Sequence, residues 1–493
     1  MKIEQLQSEK NLEENFENQI IKDHVTLNLH KAKIDQVMDF ILDQIANQSL
    51  IEGSRLWSVR KLASRLNFSV STVLEAYARL VAQDVIEARR GAGYFVCRKR
   101  PSMPDIPRTA LPYTREVDPL WISRQALLAQ PEMIKAGCGW LPQDWMPEQA
   151  IRKALKTVAK IPTAQLADYP SPHGHLGLRQ WIVRKNQYYE VALDSNQVLL
   201  TDSATQSMDL IFRLYLRPGD VILIDDPCYF NFLALIQQHQ LRAIAIPFTE
   251  QGPNVQQFEQ ALQYQPKIYL TNSGIHNPTG ASLSLHTAYK VAKLAEQADL
   301  LVIEDDIFAE FEFQAAPRYA SLMGLKQVIQ IGSFSKSISA SMRCGYIATD
   351  LHRIEQLIDL KIATSFSHSQ LNAEIIFHVL NDGAYHKHLQ QLKQRLLNSM
   401  NDCLQRLSKL KIETQYPPKA GLFLWCKLPQ SVDAAALSKY CLAQGIILAP
   451  GQAFSQSTDA RQYLRFNVAQ STSTQLFQVL TEGIQQLSQT FDA

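Results

Sequence analysis

The sequence predicts a chain of two modules: an α/β main domain with a mostly parallel sheet and a small α+β lobe, preceded by a winged helix-turn-helix. Three observations predict it. Three amphipathic helical stretches and a short hairpin-like pair of runs occupy residues 31–97. Prolines 101, 104, 107, 112 and 119 then crowd a segment that can be neither helix nor inner strand. From about residue 120, short apolar runs alternate with helical stretches, the pattern of strands covered by helices on both faces. At 493 residues, 46% of them hydrophobic, the chain exceeds one ordinary domain and has ample material for a core.

Residues 1–28 are rich in Glu, Asn and Gln and read as a tail. Next, Ile34, Val37, Met38, Ile41, Leu42 and Ile45 recur on one face of a helix. Val59, Leu62, Ala63 and Leu66 mark a second helix, and Val73, Ala76, Tyr77 and Leu80 a third. Between these two lies a short turn, where Ser69 and Ser71 offer N-caps. "VIEARRGAGYFVCRKR" reads as a hairpin with a basic tip. The module spans 29–98, the linker 99–120 and the main domain 121–493. In the main domain "QVLLTD", "VILIDDP", "AIAIPF", "KIYLTNS", "LVIEDDI" and "VIQIGSF" are the expected strands, and "KAGLFLWCKLP" to "YLRFNVAQ" the smaller lobe.

Charge separates the modules. The net charge is only +2, yet residues 31–100 carry twelve Lys and Arg against seven Asp and Glu, whereas the first thirty residues are acidic. A basic helical module points to nucleic acid. The seven cysteines are scattered without a C-x-x-C pair, which predicts a reducing, cytoplasmic setting with neither disulfide nor zinc. No run approaches a membrane span, and "MKIEQLQSEKNLEEN" lacks the apolar core of a signal peptide.

In a winged helix-turn-helix the second helix of the pair enters the major groove of double-stranded DNA. That places Ser69, Ser71 and Thr72 at the start of the reading helix, Arg60 on the helix before it, and Arg89 and Arg90 on the wing. "GSRLWSVRKLASRLNFSVSTVLEAYARLVAQDVIEARRGAGYFV" resembles the GntR-type winged helix over nearly its whole length. Trp57 stands where that family usually has proline, and Val70 where it often has a polar residue.

A pyridoxal phosphate protein needs a lysine amine for a Schiff base, a carboxylate at the pyridine nitrogen, an anion cradle and an aromatic face for the ring. "TDSATQS" opens a helix whose first amides, at Ala204 and Thr205, suit a phosphate. Tyr229 follows an apolar strand and can stack on a ring, Asn277 in "NPTG" can donate to the phenolate oxygen, and Asp305 ends another strand. "GSFSKSISASMR" contributes Ser333, Lys336 and Arg343. Ligands in such folds sit beyond the carboxyl ends of the strands, where all these residues fall.

These residues together resemble the fold type I aminotransferases across about 120–490. The resemblance implies Lys336 and Asp305 as catalytic residues. It further implies Tyr169 in "YPSPHGHLGLRQWI" at the cofactor phosphate of a neighbouring subunit, and Gly139 and Arg465 at the substrate or effector carboxylate. Ile307 and Phe308 occupy the positions where the family carries a tyrosine that hydrogen bonds the phenolate. The two modules in this order resemble the MocR transcriptional regulators. That implies a homodimeric, pyridoxal 5'-phosphate-dependent DNA-binding regulator sensing a small amino compound or the cofactor itself. The alternative is an active aminotransferase, for example on 2-aminoadipate or aromatic amino acids, with an accessory N-terminal module.

Overall fold

The computed structural model describes residues 31–97, 118–430 and 432–491, which fall into two units. The tail 1–28 and most of the linker 99–120 lie outside the described residues.

In the N-terminal unit three helices, α1 (Lys33–Ala46), α2 (Val59–Leu66) and α3 (Val70–Ala82), precede strands β1 (Ile86–Arg89) and β2 (Gly93–Val96). The helical periodicity of the sequence becomes one core: Val37, Ile41, Leu62, Val73, Ala76, Tyr77 and Leu80 are buried together. Ser58 caps α2 and Ser69 caps α3, each accepting a backbone N–H three residues on. Asn67 ends α2 in the left-handed conformation that asparagine tolerates (φ 56°), which makes the tight turn between the two helices. β1 and β2 pair antiparallel from Ile86↔Val96 to Arg89↔Gly93, and the buried Ile86 and Val96 close the core from below.

The larger unit holds a sheet of eight strands: β3 (Val198–Thr201), β4 (Val221–Asp226), β5 (Arg242–Thr249), β6 (Gly252–Pro253), β7 (Ile268–Thr271), β8 (Leu301–Asp305), β9 (Val328–Ser333) and β10 (Gly345–Ala348). Their order is β3-β10-β9-β8-β7-β4-β5-β6. The run from β9 to β5 is parallel; β9, β8, β7 and β4 are nearly all buried because helices cover both faces, while β5 is buried only near its carboxyl end. β10, which no apolar run in the sequence announced, enters antiparallel between β3 and β9. Being antiparallel, it begins at the edge where its neighbours end.

A second sheet, β11 (Glu413–Thr414), β12 (Phe423–Lys427), β13 (Ala449–Pro450) and β14 (Tyr463–Asn467), is antiparallel throughout, in the order β11-β12-β14-β13. It forms the smaller α+β lobe. Among the described residues no helix is long and apolar enough to cross a membrane.

Candidate functional site

A cleft of about 460 Å³ opens at the carboxyl ends of the parallel strands. Gly139, Ala204, Thr205, Tyr229, Asn277, Asp305, Ser333, Lys336 and Arg343, distant in sequence, all line it. Topology does this gathering: Asp305 is the last residue of β8, Ser333 the last of β9, and Ala204 opens the helix Ala204–Tyr215 that follows β3.

The anion cradle is built on backbone. The amides of Ala204 and Thr205, first in their helix, have no partner within it and carry the positive end of its dipole. Ser203 caps the helix by accepting from the Gln206 amide. A Cβ on Gly345 would lie 2.6 Å from the Ser203 carbonyl carbon and 2.7 Å from the Ala204 nitrogen, so only glycine lets β10 pass beneath this turn. Opposite, the Ser335 amide donates to Ser333 Oγ (3.1 Å), and Ser333 Oγ bonds the Ser335 hydroxyl (2.9 Å) and the Cys344 carbonyl (2.9 Å). Arg343 closes the cradle with φ at +45°, an unfavourable conformation for arginine held at the cleft rim.

Asp305 is 4% exposed and has no ion-pair partner among the described residues. Burial pushes its carboxyl up to about 7, against the Asn272 side chain and the Ile307 amide, which stabilise the anion. The Lys336 charge offsets only part of this burial, so the carboxylate suits a further cation in the cleft, such as a protonated pyridine nitrogen. In the cofactor-free protein the sign of its linkage follows: with a folded pKa above the unfolded one, stability is lost as pH rises from the ordinary carboxylate range to about 7. Asp305→Asn removes that loss. The cofactor-free variant is therefore expected to gain on the wild type with rising pH, by about 2–4 kcal/mol at its plateau. Melting temperatures of both proteins across pH 4–8 would check this, and parallel curves would refute it.

Lys336 Nζ donates to the Gly139 carbonyl at 2.7 Å. Burial first, and then the Arg465 charge, push its amine down to about 8, with Asp305 opposing. The free base that attack on a carbonyl requires is thus more accessible than for an exposed lysine.

Arg465, from β14, is fully buried among Phe423, Phe454 and Phe230, its guanidinium carbon 4.3–5.8 Å from their ring centres. Burial lowers its pKa to about 10. It donates to the Gly137 carbonyl (2.7 Å) and to Asn277 Oδ1 (2.8 Å), both neutral, and its Nε has no partner. A guanidinium only donates, so Asn277 must turn its oxygen to Arg465, leaving its NH2 for the cleft. A buried cation without an anionic partner among the described residues is the counterpart of Asp305.

Tyr169 does not join this cleft. It is 77% exposed, with its ring 4.5 Å from that of Phe366, so any part in a cofactor site requires a second copy of the chain. Sequence reasoning missed Ser203, Ser335, Gly345 and the aromatic box around Arg465. The helix Trp121–Leu128, which brings Ser123 and Leu127 to the cleft, was missed too. Ser203 had a legible signal, a serine just before a helix; the box had none, because its rings come from three distant segments. Ile307 and Phe308 line the cleft as hydrocarbon, and Phe308 packs edge-on against Phe423 at 5.3 Å.

In the N-terminal unit Arg60 and Arg90 are exposed, as are Ser69 and Ser71, while Thr72 is half-buried. Ser69 Oγ also bonds the hydroxyls of Ser71 (2.8 Å) and Thr72 (2.7 Å), so this trio forms the cap as well as the helix tip. Arg89 is held by Glu87 at 2.5 Å and lies over the Phe95 ring at 4.3 Å. Exposed pairs of this kind are weak, and a phosphate can displace the glutamate.

Two features define the class: a mostly parallel sheet with a smaller lobe, and a cleft that brings together a buried carboxylate, an amine and an anion cradle, with the buried Arg465 behind its Gly139 wall. These residues fit pyridoxal phosphate, whose phosphate, pyridine nitrogen and carbonyl each find a complementary group. The chain belongs to the aminotransferase class I and II family, whose model matches residues 137–482. Residues 33–96 match the bacterial regulatory proteins of the gntR family. The chain is 28% identical over 454 residues, 89% of its length and 95% of the relative's, to the uncharacterized HTH-type transcriptional regulator YdcR of Escherichia coli (strain K12). It is 24% identical over 382 residues, 74% of its length and 89% of the relative's, to aromatic-amino-acid aminotransferase 1 of Thermococcus litoralis. Among solved structures, Pyrococcus horikoshii kynurenine aminotransferase superposes with a TM-score of 0.67 at 21% identity, covering 77% of this chain and 95% of that one.

Proposed function

We propose that the protein is a pyridoxal phosphate-dependent transcriptional regulator of the MocR type, cytoplasmic and homodimeric, whose aminotransferase-like domain senses an amino compound. The observation that carries this reading is the union in one chain of a gntR-family module and an aminotransferase domain, supported by regulator relatives that share both over most of their length.

Lys336 would hold the cofactor covalently, Asp305 would keep its pyridine nitrogen protonated, and the Ala204 and Thr205 amides with Ser333 and Arg343 would bind its phosphate. Tyr229 would stack on its ring. Tyr169 would reach the phosphate of the partner subunit's cofactor. The cofactor supplies an electrophilic carbonyl carbon and an electron sink. Asn277 would donate to its phenolate, and Arg465 would hold the effector's carboxylate beside Gly139. Such an effector reports its presence only by favouring one arrangement of the DNA-binding modules over another. A two-fold dimer suits paired half-sites on DNA.

Ile307 and Phe308 favour sensing over turnover, since neither can donate the hydrogen bond that helps set the cofactor's basicity. The intact lysine, aspartate and arginine keep the second reading, a working aminotransferase, in view.

Sheared genomic DNA from the source organism, passed over immobilised protein at low salt, should yield discrete retained fragments. Arg60→Ala should weaken their retention and reduce the slope of log affinity against log salt by about one, with the visible absorbance unchanged. No retained DNA, together with steady transamination at ordinary enzyme rates, would overturn the regulator reading.

A further inference from the structure

Behind the cofactor cleft the same domain carries a second hollow, of about 580 Å³, that none of the chemistry above uses. Its walls come from the helix Leu176–Gln187, the residues just after it, the turn at Glu310, and the start of the helix Gly383–Lys409. Trp181, Tyr188 and Tyr385 give it flat apolar faces, and Tyr188 is 69% exposed although nothing in its local structure requires an aromatic ring in water.

Cations outnumber available anions there. Arg184, Lys185 and Lys393 line the hollow with Glu310 and Asp382. Asp382 is already paired with Lys153 at 2.8 Å, and Glu310 accepts from the Tyr385 hydroxyl at 3.1 Å. Beneath the wall, Asp306 and Glu312 share Arg318 at 2.9 and 2.5 Å. Neither Arg184 nor Lys185 makes a hydrogen bond or an ion pair among the described residues, and Lys185 is only half exposed. Glu310 and Asp306 attract the Lys185 ammonium without contacting it, and an ammonium kept beside aromatic faces with no direct hydrogen bond or ion pair has its donors free for a planar anion.

The walls also touch the cofactor cleft from behind. Trp181 packs edge-on against Phe334 at 5.8 Å, in the loop of Ser333, Ser335 and Lys336. The Tyr189 hydroxyl donates to the Ala309 carbonyl (3.0 Å), and Lys393 Nζ to the Glu312 carbonyl (2.7 Å), so the hollow holds the turn that follows Asp305.

We propose that this hollow is a second ligand site, for an aromatic carboxylate or a planar anion of similar size, whose occupancy is transmitted to Asp305 and Lys336. The ring would lie against Trp181 and Tyr188, with the carboxylate toward Lys185 and Arg184. Binding here does not depend on the cofactor reading; transmission does.

Titration calorimetry of the full, cofactor-loaded chain with indole-3-carboxylate tests it. Binding of one probe per chain is expected, weakened about tenfold or more by Lys185→Gln and also by Tyr188→Ala, whose exposed side chain can go without loss of fold. Arg465→Met should leave it unchanged, and saturation should shift the visible absorbance of the wild type. Absence of binding, or binding indifferent to both Lys185→Gln and Tyr188→Ala, would overturn the site. Loss in Arg465→Met alone would do the same by assigning the probe to the cofactor cleft. Binding with no shift in a visibly yellow protein would overturn the transmission; a protein that is never yellow would overturn the cofactor reading and leave the site standing.

Discussion

Exchanging Lys336 for alanine is expected to bleach the protein. The wild type, loaded with pyridoxal phosphate and dialysed, should stay yellow, because Lys336 Nζ sits in the cleft beside Gly139 with its amine pushed down to about 8 by burial and Arg465. The variant keeps the cradle at Ala204, Thr205, Ser333 and Arg343, and with it the helix dipole, so it should still bind the cofactor reversibly. Only the covalent hold disappears. Absorbance before and after dialysis separates the two contributions. The fold should tolerate the change, since the removed ammonium's one hydrogen bond among the described residues goes to the carbonyl of Gly139, which lines the cleft. A variant as yellow as the wild type after dialysis would show that another amine does the holding.

Arg465→Met should separate amino acids from simple amines. Removing a buried guanidinium that meets a carboxylate costs about 2–5 kcal/mol in binding, or about thirtyfold or more in affinity. Methylamine carries no carboxylate and should react with the loaded protein equally well in both forms. Stability should change less than affinity, because two opposed effects follow. Relief from burying an unpaired charge favours the variant, while the Gly137 carbonyl and Asn277 Oδ1 lose their donors. Absorbance titrations with several L-amino acids and with methylamine, run on both proteins, check the prediction. Equal weakening for amine and amino acid would place Arg465 in the scaffold and not at the ligand.

Much of this site was legible before any coordinates. Asp305, Ser333 and Ala204 stood at the ends of apolar runs, and strand ends in a parallel sheet converge on one edge. Lys336 announced itself by its company of serines. The partners that set its chemistry did not: the Gly139 carbonyl lies 197 residues away, and nothing in the sequence around either residue marks the other.

What the sequence determined by itself was the order of modules, the class of each, and the residues able to bind a cofactor, because periodicity and strand ends are local properties that the chain carries in its spacing. Only the tertiary structure decided the rest. It slipped β10 in antiparallel beneath the cradle, where Gly345 is the one residue that fits. Arg465 was sealed in three aromatic rings without an anion, and Tyr169 was turned out of its own chain's cleft. These outcomes depend on which distant side chains exclude water from one another, and burial is a property of the assembled fold, which no single segment encodes.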